Sequence, residues 1–132
     1  MSSFDWREFL HAAKEIFPRV QSLRQVEMRD EALCRIGISR AYYAAFHAAA
    51  QLVDTDAVPG GTHERVIRAL KSSADRTYRR IGNDLDTLRT MRVRADYLSE
   101  RYPLRGYNGN AVLELQLALH YADSILKRIS AL

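Results

Sequence analysis

Residues 39–52 read SRAYYAAFHAAAQL, and this stretch decides the fold. Alanine and aromatic residues fill it, with Arg40 and His47 as its two groups for charge or proton chemistry. Nothing in it breaks a helix, and its small residues let other backbones approach closely. It reads as the core of a long helix, roughly Arg29 to Val53. On such a helix seven residues turn about 700°, so His47 returns to within about 20° of Arg40, about 10.5 Å further along the axis. Tyr43 falls between them on the same face, three after Arg40 and four before His47. One stripe therefore carries a guanidinium, a phenol and an imidazole in a row.

Working outward, every other long segment has helical periodicity, and no β-branched run alternates with polar residues. Trp6, Phe9, Leu10, Ala13, Ile16, Phe17 and Val20 form an apolar stripe from about Phe4, which Pro18 is expected to kink or end. The run DTDAVPGGT, residues 54–62, is a break, with Thr62 expected to cap the next helix. That short helix covers about His63 to Ser72, with Val66, Ile67 and Leu70 inward. A fourth helix, about Arg76 to Leu98, turns Ile81, Leu85, Leu88 and Ala95 to one side, with Gly82 as a candidate interruption. After the turn-rich segment RYPLRGYNGN, residues 101–110, a last helix is expected from Ala111 to Ile129. The sum is an all-α chain: one domain over residues 1–132, folded as a compact bundle of four to five helices.

Composition narrows the function. A chain of 132 residues can bury roughly two-thirds of its unfolded surface, enough for a core without disulfides or a structural metal. The single cysteine, Cys34, rules out cysteine-based zinc sites and fits a reducing compartment. The charged N-terminus MSSFDWREFLHAAKE resembles neither a signal peptide nor a membrane span, so a cytoplasmic location without membrane attachment is expected. Net charge is +4, distributed unevenly: residues 64–105 hold eleven basic and six acidic side chains. Most of these cations are arginines, whose forks match phosphate oxygens. A solvated helix face with scattered ion pairs accounts for the same pattern.

The stripe on the second helix has definite chemistry available. A histidine near its ordinary pKa of about 6.5 exchanges a proton at neutral pH. An arginine stabilises negative charge in a phosphoryl transition state. Together they suit metal-independent RNA cleavage, in which a ribose 2′-hydroxyl attacks its own phosphodiester. Two antiparallel copies of the helix would bring Arg40 of one chain towards His47 of the other. The alternative is structural: Arg40 pairs with Asp96 or Glu100, and His47 packs as a core histidine.

His63 follows Thr62 in the first turn of a helix, where anions are favoured; a surface histidine is the other reading. Tyr97, Tyr102 and Tyr107 interleave with Arg94, Arg101 and Arg105, planes on which unpaired bases can stack. His11 and His120 have no neighbours at metal-ligand spacing, so neither a metal nor another cofactor is expected. PGGT lacks the lysine and spacing of a phosphate-binding loop and reads as a turn.

Three landmarks carry a family resemblance. ISRAYYAAFHAA resembles the Ser-Arg-Ala-Tyr-Tyr-Ala-x-Phe-His signature of one branch of the HEPN domains (higher eukaryote and prokaryote nucleotide-binding). GGTHERVIRAL resembles that branch's Thr-His pair ahead of a short helix. MRVRADY is similar to its Arg-x-x-Ala-Asp-Tyr motif, with Arg92 or Arg94, Ala95, Asp96 and Tyr97. The resemblance spans residues 38–97. It implies a helical bundle that usually dimerises. Many such domains are metal-independent endoribonucleases of toxin or phage-defence systems, using an Arg…His motif whose copies meet at the dimer interface. On that basis Arg40 and His47 are the expected catalytic pair, and Tyr43, His63, Arg92, Arg94, Arg101 and Arg105 the expected contacts to RNA or a nucleotide. Other members serve as helical partners of a minimal nucleotidyltransferase, which is the alternative expectation here.

Overall fold

The computed structural model describes residues 4–99 and 110–132. Five helices follow in order: α1 (Arg7–Val20), α2 (Met28–Ala50), α3 (Thr62–Lys71), α4 (Arg76–Tyr97) and α5 (Ala111–Ser130). No strand occurs among the described residues. The arrangement follows from α2, whose second half is mostly apolar and buried over much of its surface. A helix of that kind must be enclosed, and α1, α4 and α5 pack around it. The short α3 leans mainly on α4 and barely reaches α2.

Local chemistry sets the helix starts. The Asp5 carboxylate accepts from the Arg7 backbone N–H at 3.0 Å, so α1 begins after the Phe4–Trp6 stretch rather than at Phe4. Asp75 caps α4 by accepting from the N–H groups of Thr77 (2.7 Å) and Tyr78 (3.2 Å). Asn110 accepts from Leu113 N–H at 3.0 Å to open α5. Each satisfies backbone donors that a helix start would otherwise leave open. The cap of α3 departs from the sequence expectation. Thr62 is already helical, and Gly61 occupies the N-cap with no side-chain bond. Gly60 before it has φ +115°, a conformation that glycine adopts without a steric penalty.

Neither Pro18 nor Gly82 ends its helix. Pro18 lies inside α1, which runs on to Val20. Gly82 lies within an unbroken α4, where a Cβ would stand 2.8 Å from the Leu70 Cβ and 3.0 Å from the Lys71 backbone nitrogen. The glycine lets α3 and α4 touch. The core joins all five helices; Tyr42, Leu70, Ile81, Leu85, Leu115 and Ile125 have no solvent exposure, and Ala13 and Val20 of α1 almost none. Burying an aliphatic side chain of this size stabilises by about 1.5–3 kcal/mol. The residues expected inward on α3 and α4 are buried as expected. No described helix is long and apolar enough to cross a membrane.

Candidate functional site on the open flank of α2

One flank of α2 escapes enclosure. Ile36 is exposed, and Arg40, Tyr43 and His47 are only partly buried, while Cys34, Ala41, Tyr42, Ala45 and Ala49 are sealed in the core. The open flank is bordered by the start of α1 on one side and by α4 on the other.

Tyr43 is its centre. The Arg40 guanidinium carbon lies 5.2 Å from the Tyr43 ring centroid, and that of Arg92 lies 5.4 Å away. The rings of His63 and His47 stand 5.9 and 6.3 Å from it. The Tyr43 hydroxyl accepts from Arg92 Nη2 at 2.8 Å. Five residues from three helices thus meet at one phenol: Arg40, Tyr43, His47, His63 and Arg92.

Arg40 is held by rings rather than by carboxylates. Its guanidinium also lies 5.0 Å from the Phe9 centroid, and its one polar side-chain contact among the described residues is a long 3.5 Å approach to Ser39 Oγ. The expected pairing with Asp96 is not formed. Asp96 instead faces Arg92, with Nε and Oδ2 2.9 Å apart, because those two residues share one flank of α4 at i, i+4 spacing. Glu100, the other expected partner, lies outside the described residues. A partly desolvated guanidinium stacked on aromatic faces gains about 0.5–2 kcal/mol. Among the described residues no carboxylate meets Arg40.

His47 stacks on Trp6, with centroids 3.7 Å apart and planes 16° from parallel. Burial holds its pKa below the usual histidine value, so the ring is neutral at pH 7. His63 is better anchored than a surface histidine. Its Nδ1 lies 2.6 Å from the hydroxyl of fully buried Tyr42, and its ring stacks on Phe46 at 4.2 Å. Its pKa is lowered by burial first, then by the positive charges of Arg89 and Arg92, and then by His47. The neutral ring lets the Tyr42 hydroxyl donate to Nδ1, which supplies the partner that a buried phenol needs. Burial likewise drives the Tyr42 hydroxyl well above the ordinary tyrosine range, so it stays protonated.

The remaining expected contacts do not converge. Arg94, two residues beyond Arg92, projects from the other flank of α4 towards α5, where Nη1 lies 3.7 Å from the buried Glu114 carboxylate. Arg101 and Arg105 lie outside the described residues. His11 faces Glu8 at 3.4 Å, and His120 lies beside Tyr121. No cluster of His, Cys, Asp or Glu able to hold a metal ion occurs among the described residues.

Two participants were not singled out from sequence. Arg89 sits one turn before Arg92 and acts electrostatically on both Tyr42 and His63. Its i, i+3 spacing from Arg92 was a usable signal. Trp6 had none, since it reads as one more apolar residue of the first stripe.

The face thus brings together three arginines, one carboxylate facing Arg92 and two imidazoles that burial holds neutral. No protein-family model, curated protein or solved structure matches the chain.

Proposed function

We propose that this chain is a HEPN-like RNA-binding protein that acts as a homodimer and cleaves RNA without a metal ion at the open flank of α2. The observation that carries the reading is Arg40, whose guanidinium is stacked between Phe9 and Tyr43 with no carboxylate beside it among the described residues. A partly buried arginine held only by rings suits an anion, and a phosphodiester matches its fork.

The chemistry follows from the groups present. Neutral His47 accepts the proton of a ribose 2′-hydroxyl, whose oxygen attacks the adjacent phosphorus. Arg40, assisted by Arg92, stabilises the added negative charge. The bond from phosphorus to the 5′-oxygen breaks, and an imidazolium returns a proton to that oxygen. The products are a cyclic phosphate and a 5′-hydroxyl end. Arg40 and His47 are two helical turns apart on one chain, so the pair is completed by the same helix of a second copy running antiparallel.

A non-catalytic reading draws support from the Trp6 stack, which covers one face of His47 at 3.7 Å. In that reading the flank grips a nucleic acid or nucleotide, and the chain serves as the helical partner of a minimal nucleotidyltransferase.

The test is incubation of mixed-sequence RNA with the protein in EDTA, comparing wild type with Arg40→Ala and His47→Ala, each checked for unchanged fold and association state. Cleavage that both substitutions abolish supports the nuclease. RNA binding without cleavage supports the partner reading. Activity that persists in both variants excludes this site.

A further inference from the structure

Beside His47, away from Tyr43, lies a cleft of about 390 Å³ between the start of α1, α2 and the end of α5. That volume is at the small end for sites that take organic ligands. Ala44 and Ala48 line it on α2, leaving space that larger side chains would fill, while Phe4, Trp6, Leu126 and Ile129 supply apolar walls. Gln51 and Ser130, both exposed, add an amide and a hydroxyl. Phe4 meets Trp6 edge-on at 5.3 Å, and these two large aromatic residues remain 56% and 38% exposed.

The cleft is joined to the cationic flank through His47, which lines it and also stands 6.3 Å from the Tyr43 ring. A strand whose phosphate sits against Arg40 and Tyr43 therefore carries its next base towards the cleft. Aromatic surface, small-residue lining and two neutral hydrogen-bonding groups suit a planar heterocycle with a polar edge. Asp5 and Arg7 also line the cleft and pair with each other at 2.8 Å, so these two charges are spent on one another and the charge of a ligand is matched next door. A base within a duplex could not reach these walls, so the occupant is an unpaired one.

We propose that this cleft is a nucleobase subsite, taking one unpaired base of a bound RNA strand onto Phe4 and Trp6, with Gln51 and Ser130 meeting its polar edge. The assignment rests on the RNA reading above and adds its substrate class: single-stranded RNA, read at one base beside the phosphate contact.

Trp6 is the single tryptophan of the chain, so its emission reports on the cleft directly. The full-length protein is titrated with four 2′-O-methyl tetranucleotides, one for each base, which lack the nucleophilic hydroxyl. Tripolyphosphate serves as a base-free anion, with binding of all five followed by calorimetry. Tetranucleotides are expected to quench Trp6 saturably, whereas tripolyphosphate binds without quenching. Trp6→Leu is expected to weaken tetranucleotides by about ten-fold or more and leave tripolyphosphate unchanged. The surface variants Gln51→Ala and Ser130→Ala, chosen because neither supports the core, are expected to alter the preference among the four bases several-fold. Tetranucleotide binding without a change in emission overturns the subsite while leaving the RNA reading intact. An equal loss of both ligands in Trp6→Leu does the same. Failure of tetranucleotides and tripolyphosphate alike to bind removes the RNA reading, and the subsite with it.

Discussion

Tyr42 and Tyr43 are neighbours in α2 with identical side chains and opposite circumstances. Tyr42 has no solvent exposure, and its hydroxyl is committed to His63. Tyr43, 100° round the helix, stands on the open flank with two guanidiniums against its ring and Arg92 bonded to its hydroxyl. The first phenol holds the bundle together. The second gathers cations around its ring. Where packing closes, polar groups are few, Ser39 and Glu114 among them. Where it stays open, Arg40 rests on aromatic rings with no carboxylate beside it among the described residues, while Arg92 faces Asp96.

The sharpest way to break this contrast is truncation of each tyrosine. Tyr42→Ala removes a fully buried ring and is expected to lose about 3–5 kcal/mol in urea unfolding. Tyr43→Ala is expected to cost about 1 kcal/mol or less, in line with a partly exposed ring. Equal losses would mean that the open flank is core. The two arginines of α4 extend the test. Arg92→Met is expected to weaken RNA binding roughly ten-fold and reduce its salt dependence by about one counterion. Arg94→Met should leave RNA affinity unchanged and instead lower stability by about 1–3 kcal/mol, since it strands the Glu114 carboxylate in the core. Binding isotherms at several salt concentrations, with urea curves, separate the two outcomes.

A smaller effect belongs to pH. His47 and His63 both have folded pKa values below that of the unfolded chain. The unfolded state therefore binds protons first as pH falls, and the stability these rings contribute is present above about pH 6.5 and lost as pH drops through their lowered folded values. Thermal melts should show Tm declining on acidification in that window, and the double variant His47→Gln/His63→Gln should flatten the profile. The smallest effect concerns Cys34, whose thiol is pushed up to about 11, by burial first and then by Asp30 and Glu31. Iodoacetamide at pH 8 should modify it far more slowly in the folded protein than in urea, and Cys34→Ala should leave RNA binding unchanged.

The helices were legible because each carries its own periodic record. Val66, Ile67 and Leu70 on α3, or Ile81, Leu85 and Leu88 on α4, declare an inward face without knowledge of what lies opposite. The same arithmetic places Arg40, Tyr43 and His47 on one stripe, since seven residues make nearly two whole turns. What it could not supply was the identity of the neighbours. Arg92 and Arg94 are alike in type and two positions apart, yet one meets Tyr43 and the other meets Glu114. The choice depends on where α2 and α5 lie around α4. Neither Pro18 nor Gly82 proved to end its helix. α1 continues past the first, and the second is what lets α3 and α4 come together.

By itself, then, the sequence determined an all-α bundle of four to five helices, an alanine-lined central helix and a stripe bearing guanidinium, phenol and imidazole. These are properties of residues within a few turns of one another, governed by backbone geometry and apolar period. Tertiary structure alone decided that His47 would stack on Trp6, that His63 would bond Tyr42, and that Arg92 rather than Arg94 would join Tyr43. Those partners stand 41, 21 and 49 positions apart in the chain. Helical periodicity orients a side chain around its own axis, but only the packing of one helix against another determines what it faces.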